Sequence, residues 1–578
     1  MYKKTGLKMV LSKSIVLGAT CLSLFSGCRY QATEINDEPG GSIRLNQIGY
    51  YPGGVKEFVV ADHEAVSFRL VDQEGRVVFR HRLEDRGSWE ASGEKILAGD
   101  FSRFTAPGTY TILLNTGVHS PPFAISGGLY GKALDASIKS FYYQRASMPI
   151  EEEHGGRYSR AAGHPDMGCA FHPSAGRTEG TLDSPGGWYD AGDYGKYVVN
   201  AAISVGQMLN LVELYPGTIG DGRLNIPESG NGISDLLDEI RYELEWVATM
   251  QDMDGGVFHK LTAKSFGGFI MPSEYDMERL VIGKGTYSTL TYAAVMAQAS
   301  RVFHSIDPQW ATGLLESAES AWEWAVRHPD RFYRNPPGVY TGEYGDDQLS
   351  DDFFWAASEL YTSTGKKEYL EYLKECDEPY IHQETNSWKF FIRNMGFHTL
   401  LINRERIPEY STVKLADSHL ELADKTLEKL GGIPYRVGVD HFEWGSNSDV
   451  LNQAMILCIA HHLSGDPKYL DGAVMSMDYI FGKNATGYSF LTGFGSKQVM
   501  NPHHRPSGAD GIAEPVPGFI VGGPNDYRQD RRAVEYTSDY PAKAFMDTEA
   551  SYASNEVCLN WNAPAVFVLG YLEHAFRQ

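Results

Sequence analysis

From Ser42 to about Ser126 apolar and polar positions alternate in short runs: Glu57-Phe58-Val59-Val60, Ser67-Phe68-Arg69-Leu70-Val71, Arg76-Val77-Val78-Phe79 and Thr109-Tyr110-Thr111-Ile112-Leu113-Leu114. A period near two, rich in β-branched and aromatic residues, predicts strands. Asp72-Gln73-Glu74-Gly75 and Ala106-Pro107-Gly108 supply turns between them. A small β-sandwich over 42–127 is expected. After Leu129 the period lengthens to three and four, as in Ile233 to Met253, Thr286 to Phe303, Leu314 to Arg327, Asp352 to Thr364 and Val450 to Leu463. This predicts a mainly α domain over 128–578. Its helices are separated by long Gly-, Pro- and aromatic-rich loops at 154–193, 255–285, 329–350, 431–449 and 484–535. Long loops in a compact domain usually carry function.

The start of the chain follows neither pattern. Lys3, Lys4, Lys8 and Lys13 precede a short apolar run from Ile15 to Phe25, which reads as a secretory signal over 1–28 rather than a membrane span. Leu24-Phe25-Ser26-Gly27-Cys28 resembles a bacterial lipobox, with Cys28 as the lipidated residue, and polar residues 29–41 suit a tether. The expected location is the bacterial envelope, lipid-anchored at the outer membrane and surface-exposed. Cys169, Cys376, Cys458 and Cys558 form no CxxC pair and read as small buried hydrophobes.

Charge narrows the partners. Asp and Glu number 74 against 51 Lys and Arg, a formal charge of -23 in 578 residues. Such a surface repels phosphate backbones and anionic headgroups, so nucleic acid is excluded as a partner and the membrane is met only through the lipid. A neutral ligand and a monomer are the expectation.

Three segments concentrate chemistry. Gly186-Gly187-Trp188-Tyr189-Asp190-Ala191-Gly192-Asp193-Tyr194-Gly195-Lys196-Tyr197 sets two carboxylates three residues apart among aromatics. Crowding raises one pKa and hydrogen bonds keep the other group ionised, as a general base and its helper require; a calcium loop or an N-cap turn would read similarly. Glu556 lies beside an apolar run toward Val566, where burial would keep it protonated as an acid; a surface Glu favoured by a helix start is the alternative. Pro502-His503-His504-Arg505-Pro506 presents fixed donors between prolines, and adjacent histidines without a nearby third ligand make a poor metal site.

Together these residues carry a resemblance. The chain resembles the family-nine glycoside hydrolases, in the subgroup with an N-terminal immunoglobulin-like domain, over nearly everything after the tether. Ser42-Ile43-Arg44-Leu45-Asn46-Gln47-Ile48-Gly49-Tyr50 is similar to the opening of that subgroup's β-domain, and Phe141-Tyr142-Tyr143-Gln144-Arg145 to the start of its catalytic module. The Asp190 to Asp193 turn, the His503 loop and the Asp547 to Glu556 spacing are similar to the family's three active-site motifs, in its order. The resemblance implies a six-fold α/α toroid and an inverting endo-β-1,4-glucanase acting on plant β-glucans: xyloglucan, mixed-linkage glucan or amorphous cellulose. It implies Asp193 as general base assisted by Asp190, Glu556 as general acid, Asp547 in support, and His503 and Arg505 against the sugar. Trp444, Trp388, Trp561 and Tyr189 are candidate sugar platforms, since the CH faces of sugars stack on rings. No cofactor is required, and Asp351 and Asp352 resemble a structural calcium position. Cys558 departs from the Ser, Thr or Ala usual there. The alternatives are an exo-acting β-glucosidase or glucosaminidase and a catalytically inactive surface glycan binder.

Overall fold

The computed structural model describes residues 41–177, 179–376 and 388–577, with the side chains of 388–391 set aside. Cys28 and nearly all of the tether therefore lie outside the described residues.

Eight strands form the first unit: β1 (Ile43–Arg44), β2 (Glu57–Ala61), β3 (Ser67–Asp72), β4 (Val77–Arg82), β5 (Glu84–Trp89), β6 (Glu94–Asp100), β7 (Gly108–Leu114) and β8 (Phe123–Ile125). They pair antiparallel in two four-stranded sheets, ordered β1-β2-β6-β5 and β4-β3-β7-β8. Phe58, Val60, Phe68, Leu70, Ile112 and Leu114 fill the space between the sheets, as the alternation predicts. At the β3–β4 turn Asp72 Oδ1 accepts from the Glu74 and Arg76 amides at 3.1 and 2.8 Å, and Gly75 takes a positive φ of 77°.

All five residues of β2 are buried, Glu57 in an ion pair with Arg86 and Phe58-Val59-Val60-Ala61 as an apolar run. Phe58 and Val60 face the sandwich core, whereas Val59 and Ala61 join the core of the helical part with Ile96, Ala98 and Trp89. Both sides of this sheet are thus covered. Polar contacts reinforce the seam: Asn46 Nδ2 donates to Tyr130 at 2.7 Å and to Asp478 at 2.8 Å, and Tyr51 donates to Glu573 at 2.6 Å.

Twelve long helices are described beyond the sandwich: α1 (Gly131–Tyr143), α2 (Val198–Leu214), α3 (Asp235–Thr249), α4 (Thr286–Phe303), α5 (Pro308–Arg327), α6 (Ser350–Thr364), α7 (Lys367–Glu375), α8 (Trp388–Ile402), α9 (Val413–Gly432), α10 (Ser446–Ser464), α11 (Pro467–Ile480) and α12 (Leu559–Ala575). The even-numbered six touch in succession, and α12 returns to α2 to close the ring. The odd-numbered helices pack outside them. Helices α2, α4, α10 and α12 are buried almost all round; α5 buries one stripe and exposes Glu316 and Glu323 on the other, whereas α3 buries Asp235, Asp238, Glu239 and Glu243 and exposes Glu245 alone of its carboxylates. This is a six-fold α/α barrel. Among the described residues no helix is long and apolar enough to cross a membrane.

The alternation decides where loops go. Every inner helix runs the same way, so segments leading into α2, α4, α6, α10 and α12 open at one end of the ring. These are the long loops marked in the sequence. A short sheet of Cys169–Phe171, Thr181–Leu182, Lys196–Tyr197, Phe258–Thr262 and Leu280–Lys284 stiffens that end.

Candidate active site

The turn before α2 is held from all sides. The Asp190 amide donates to Gly195 O at 2.9 Å and the Gly195 amide to Asp193 Oδ2 at 2.9 Å. Gln144 Nε2 donates to Ala191 O at 2.9 Å, and the Leu559 amide to Asp190 O at 2.8 Å. Gly192 is required by close approach, since a Cβ there would stand 2.0 Å from the His503 carbonyl oxygen. The sequence thus folds Asp190 and Asp193 onto one rigid turn at the mouth of the barrel.

The opposing segment is equally constrained. His503 pairs with Glu556 in a parallel bridge, its amide donating to Asn555 O at 2.8 Å. Val521 and Ala191 pair with Val557 and Cys558. Cys558 is a small buried side chain on the wall behind Asp190, with Asn200 Nδ2 3.8 Å from its sulfur, so the departure fits. The Gly192 amide donates to the Glu556 carboxyl, linking the two carboxylate segments directly.

Asp190 is 1% exposed and accepts from Asn200 Nδ2 at 2.9 Å and from Tyr344 Oη at 2.7 Å. Burial, then the charge of Asp193, pushes its pKa up to about 7, and the two neutral donors only partly offset this. Glu556 is pushed well above the usual carboxyl range, first by burial and then by Asp193, with Arg505 pulling the other way. A carboxyl held protonated therefore faces a crowded acidic pair, the electrostatics of an acid opposite a base. His503 is pulled down by burial, so its imidazole is neutral; its Nδ1–H donates to Glu549 O, leaving Nε2 an acceptor.

The other sequence candidates divide. Trp444 is 45% exposed, and a line of rings connects it with the site: Trp444 to Tyr552 at 5.5 Å, Tyr552 to His503 at 6.1 Å, His503 to Phe269 at 5.1 Å between centroids. Tyr189 is not a platform. It is fully buried and bonded to His164 at 2.7 Å, because the turn points Asp190 at the cleft and its predecessor inward. Arg505 is buried beside Glu556, its guanidinium donating to Gly192 O at 2.7 Å and to Gly267 O at 3.0 Å and so tying two loops together. Trp561 is half-buried under Gly445 and Gly522, a spacer beneath the Trp444 loop. Asp547 takes the Met500 and Asn501 amides at 2.9 and 2.8 Å, so it braces the His503 loop. The side chain of Trp388 lies outside the described residues.

Asp351 and Asp352 open α6, both buried. Burial comes first in raising both, helped by Asp346 for Asp351, which reaches about 7, and by Asp351 for Asp352. Asp346, Asp351 and Asp352 thus crowd three carboxylates together, fewer than the six to eight oxygens calcium takes unless backbone carbonyls or water complete the shell. Among the described residues no group of three or more His, Cys, Asp or Glu is arranged to hold a metal.

Sequence reasoning missed Tyr344 and Asn200. Tyr344 sits in the 329–350 loop, and Asn200 interrupts the apolar start of α2, which was the available signal. Lys260 was missed too: it is buried beneath the site, donates to Gly342 O at 2.7 Å and Thr341 Oγ1 at 3.0 Å, and burial lowers its pKa to about 7.

The model of glycosyl hydrolase family 9 matches residues 130–569, most of the chain. The chain belongs to glycosyl hydrolase family 9. The family's cellulase N-terminal ig-like domain matches 38–118. A family 9 relative, the xyloglucan-specific endo-beta-1,4-glucanase BoGH9A of Bacteroides ovatus, is 40% identical over 93% of this chain and 94% of its own. Endoglucanase D of Acetivibrio thermocellus is 32% identical over 93% of this chain and 81% of its own. Among solved structures, a Bacteroides ovatus family 9 protein superposes with a TM-score of 0.85 at 39% identity, covering 93% of this chain and 99% of that one. As a family 9 member the protein is a glycoside hydrolase.

Proposed function

We propose that the protein is an inverting endo-β-1,4-glucanase whose substrate is a branched soluble glucan of the xyloglucan type. The observation that carries this reading is the joining of the Asp190–Asp193 turn to the Glu556 carboxyl through the Gly192 amide, with Glu556 held protonated. Asp193 takes a proton from water as the water attacks the anomeric carbon. Asp190 holds that water, and Glu556 gives its proton to the departing glycosidic oxygen. An inverting pair stands roughly 6.5–9.5 Å apart to admit the water between base and sugar. His503 Nε2 accepts from a sugar hydroxyl, and Trp444 and Tyr552 lie along the glucan. The 40% identity to a xyloglucan-specific relative supports the substrate. Residues 1–28 are read as a lipoprotein signal with Cys28 acylated, which puts the enzyme on the envelope facing polymer; Cys28→Ser should abolish incorporation of labelled palmitate.

The test is reducing-end release from xyloglucan, mixed-linkage glucan, carboxymethyl-cellulose and short cello-oligosaccharides, with product sizes and anomeric configuration. Mixed mid-sized products appearing first with inverted configuration are expected. Release of only mono- or disaccharide from chain ends would replace the endo reading with an exo one. Glu556→Gln should lower kcat on glucan by about 10³–10⁴, roughly 4–5.5 kcal/mol. Near-native turnover by that variant would remove Glu556 as the acid.

A further inference from the structure

Gln47 belongs to the segment that opens the β-sandwich, yet its side chain is spent on the barrel. Its Oε1 accepts from the Lys497 amide at 2.7 Å and from Ser496 Oγ at 3.3 Å, while its Nε2 donates to Gly487 O at 2.9 Å. Its own amide donates to Phe481 O at 2.9 Å. The carboxamide lies in a cradle shaped by missing side chains. A Cβ on Gly482 would stand 2.3 Å from Gln47 Nε2, and one on Gly495 would stand 2.8 Å from Oε1. Both glycines have φ in the left-handed region, 124° and 109°.

What Gln47 holds leads straight to the reacting groups. Lys497 is followed by Gln498, which bridges Ser489. Next come the Met500 and Asn501 amides on the Asp547 carboxylate, and Asn555 Nδ2 returns to Asn501 O at 2.6 Å. His503 then pairs with Glu556. The bonds from Lys497 to Gln47 and from Asn501 to Asp547 are open to solvent, and between them a shift at Lys497 passes along backbone to His503 and its bridge with Glu556.

We propose that Gln47 of the β-sandwich is a positioning residue for the glycosidase reaction, fixing the Gly493–Arg505 loop so that Glu556 points its proton at the leaving oxygen. The sandwich is then a working part of the active site as well as a covering for the barrel. The proposal rests on Glu556 being the acid.

The test is made in the full chain with Gln47→Leu, Gln47→Glu, Tyr51→Phe and Glu556→Gln. Each is measured for thermal unfolding and for kcat and KM on soluble glucan and on a dinitrophenyl cellobioside, whose leaving group departs without protonation. Gln47→Leu should lose about tenfold or more in kcat on glucan with KM within about twofold, and less than about threefold on the activated substrate. Gln47→Glu keeps the acceptor for Lys497 and should recover about a third or more of the wild-type kcat. Tyr51→Phe loosens the seam without touching the loop and should leave kcat unchanged on both substrates. Equal loss on both substrates, a loss shared by Tyr51→Phe, or no loss at all overturns the proposal. If Glu556→Gln itself shows no difference between the substrates, the assignment of the acid falls, a result distinct from failure of Gln47 alone.

Discussion

Asp166 and Asp190 are two carboxylates on the same side of the barrel, 3% and 1% exposed, with opposite fates. Asp166 receives Arg279 in a two-pronged contact at 2.6 and 3.0 Å and Lys196 at 2.7 Å. Burial alone would raise its pKa, but the two cations outweigh burial and hold it below the ordinary value. Asp190 has only an amide and a phenol as donors, with another carboxylate three residues on, and it rises to about 7. Equal burial therefore says nothing about role; the partner's charge does. Where a cation is supplied, the carboxylate is a strut, and Lys196 passes the support on by donating to Ser184 O and Gly186 O ahead of the catalytic turn. Where it is withheld, the group is left able to exchange a proton near neutral pH.

The sharpest way to break this contrast is Asp166→Asn, which strands two buried cations. It should destabilise the protein by about 3–5 kcal/mol in denaturant unfolding, and a change within experimental error would show that the cations find other partners. Asp190→Asn should move stability the other way. The folded pKa lies above that of a free carboxyl, so the favourable contribution is complete below about pH 4 and is lost as pH rises through 7. Relative to wild type the variant should thus gain about 1–3 kcal/mol at pH 8 and nothing at pH 4, while kcat falls by about 10²–10³. Destabilisation at pH 8 would mean that Asp190 too is a strut. The smallest effect is expected from Tyr344→Phe. Removing a donor from the ionised form raises the pKa of Asp190, so the acidic limb of the kcat/KM profile should move up by about half a unit to one unit. An unmoved limb would assign it to another group, and the alkaline limb, set by Glu556, should stay in place.

This contrast was half legible in the sequence. The aromatic and glycine-rich surroundings of Asp190 and Asp193 announced a crowded pair, and the apolar run after Glu556 announced burial. Nothing near Asp166 in the sequence announced its cations, since Arg279 lies 113 residues away. The donor from Tyr344 to Asp190 spans 154 residues. Tyr189 failed as a sugar platform for a related reason: residue type shows that a side chain can meet a sugar, but direction is set by backbone and side chains arriving from elsewhere, here His164 on the Tyr189 hydroxyl. The helices were readable from their three- and four-residue period and the sandwich from its alternation, while closure of the helices into a ring followed only from the family resemblance. That β2 is buried on both faces showed in its composition without indicating which body would cover the second face.

The ring closes when α12 packs against α2, and the Leu559 amide then donates to Asp190 O at 2.8 Å. Base and acid are therefore separated by most of the polypeptide and are brought together by the segment that leads into α12. During synthesis the other eleven long helices described leave the ribosome before this one, so a chain stopped short of it cannot assemble the site, however well its earlier helices have paired. The non-local closure is also the slow step to expect in folding, during which the apolar flank of α2 awaits its cover and is open to aggregation. Activity regained on refolding should accordingly lag behind the return of helical signal, a delay timed by circular dichroism and turnover in one stopped reaction.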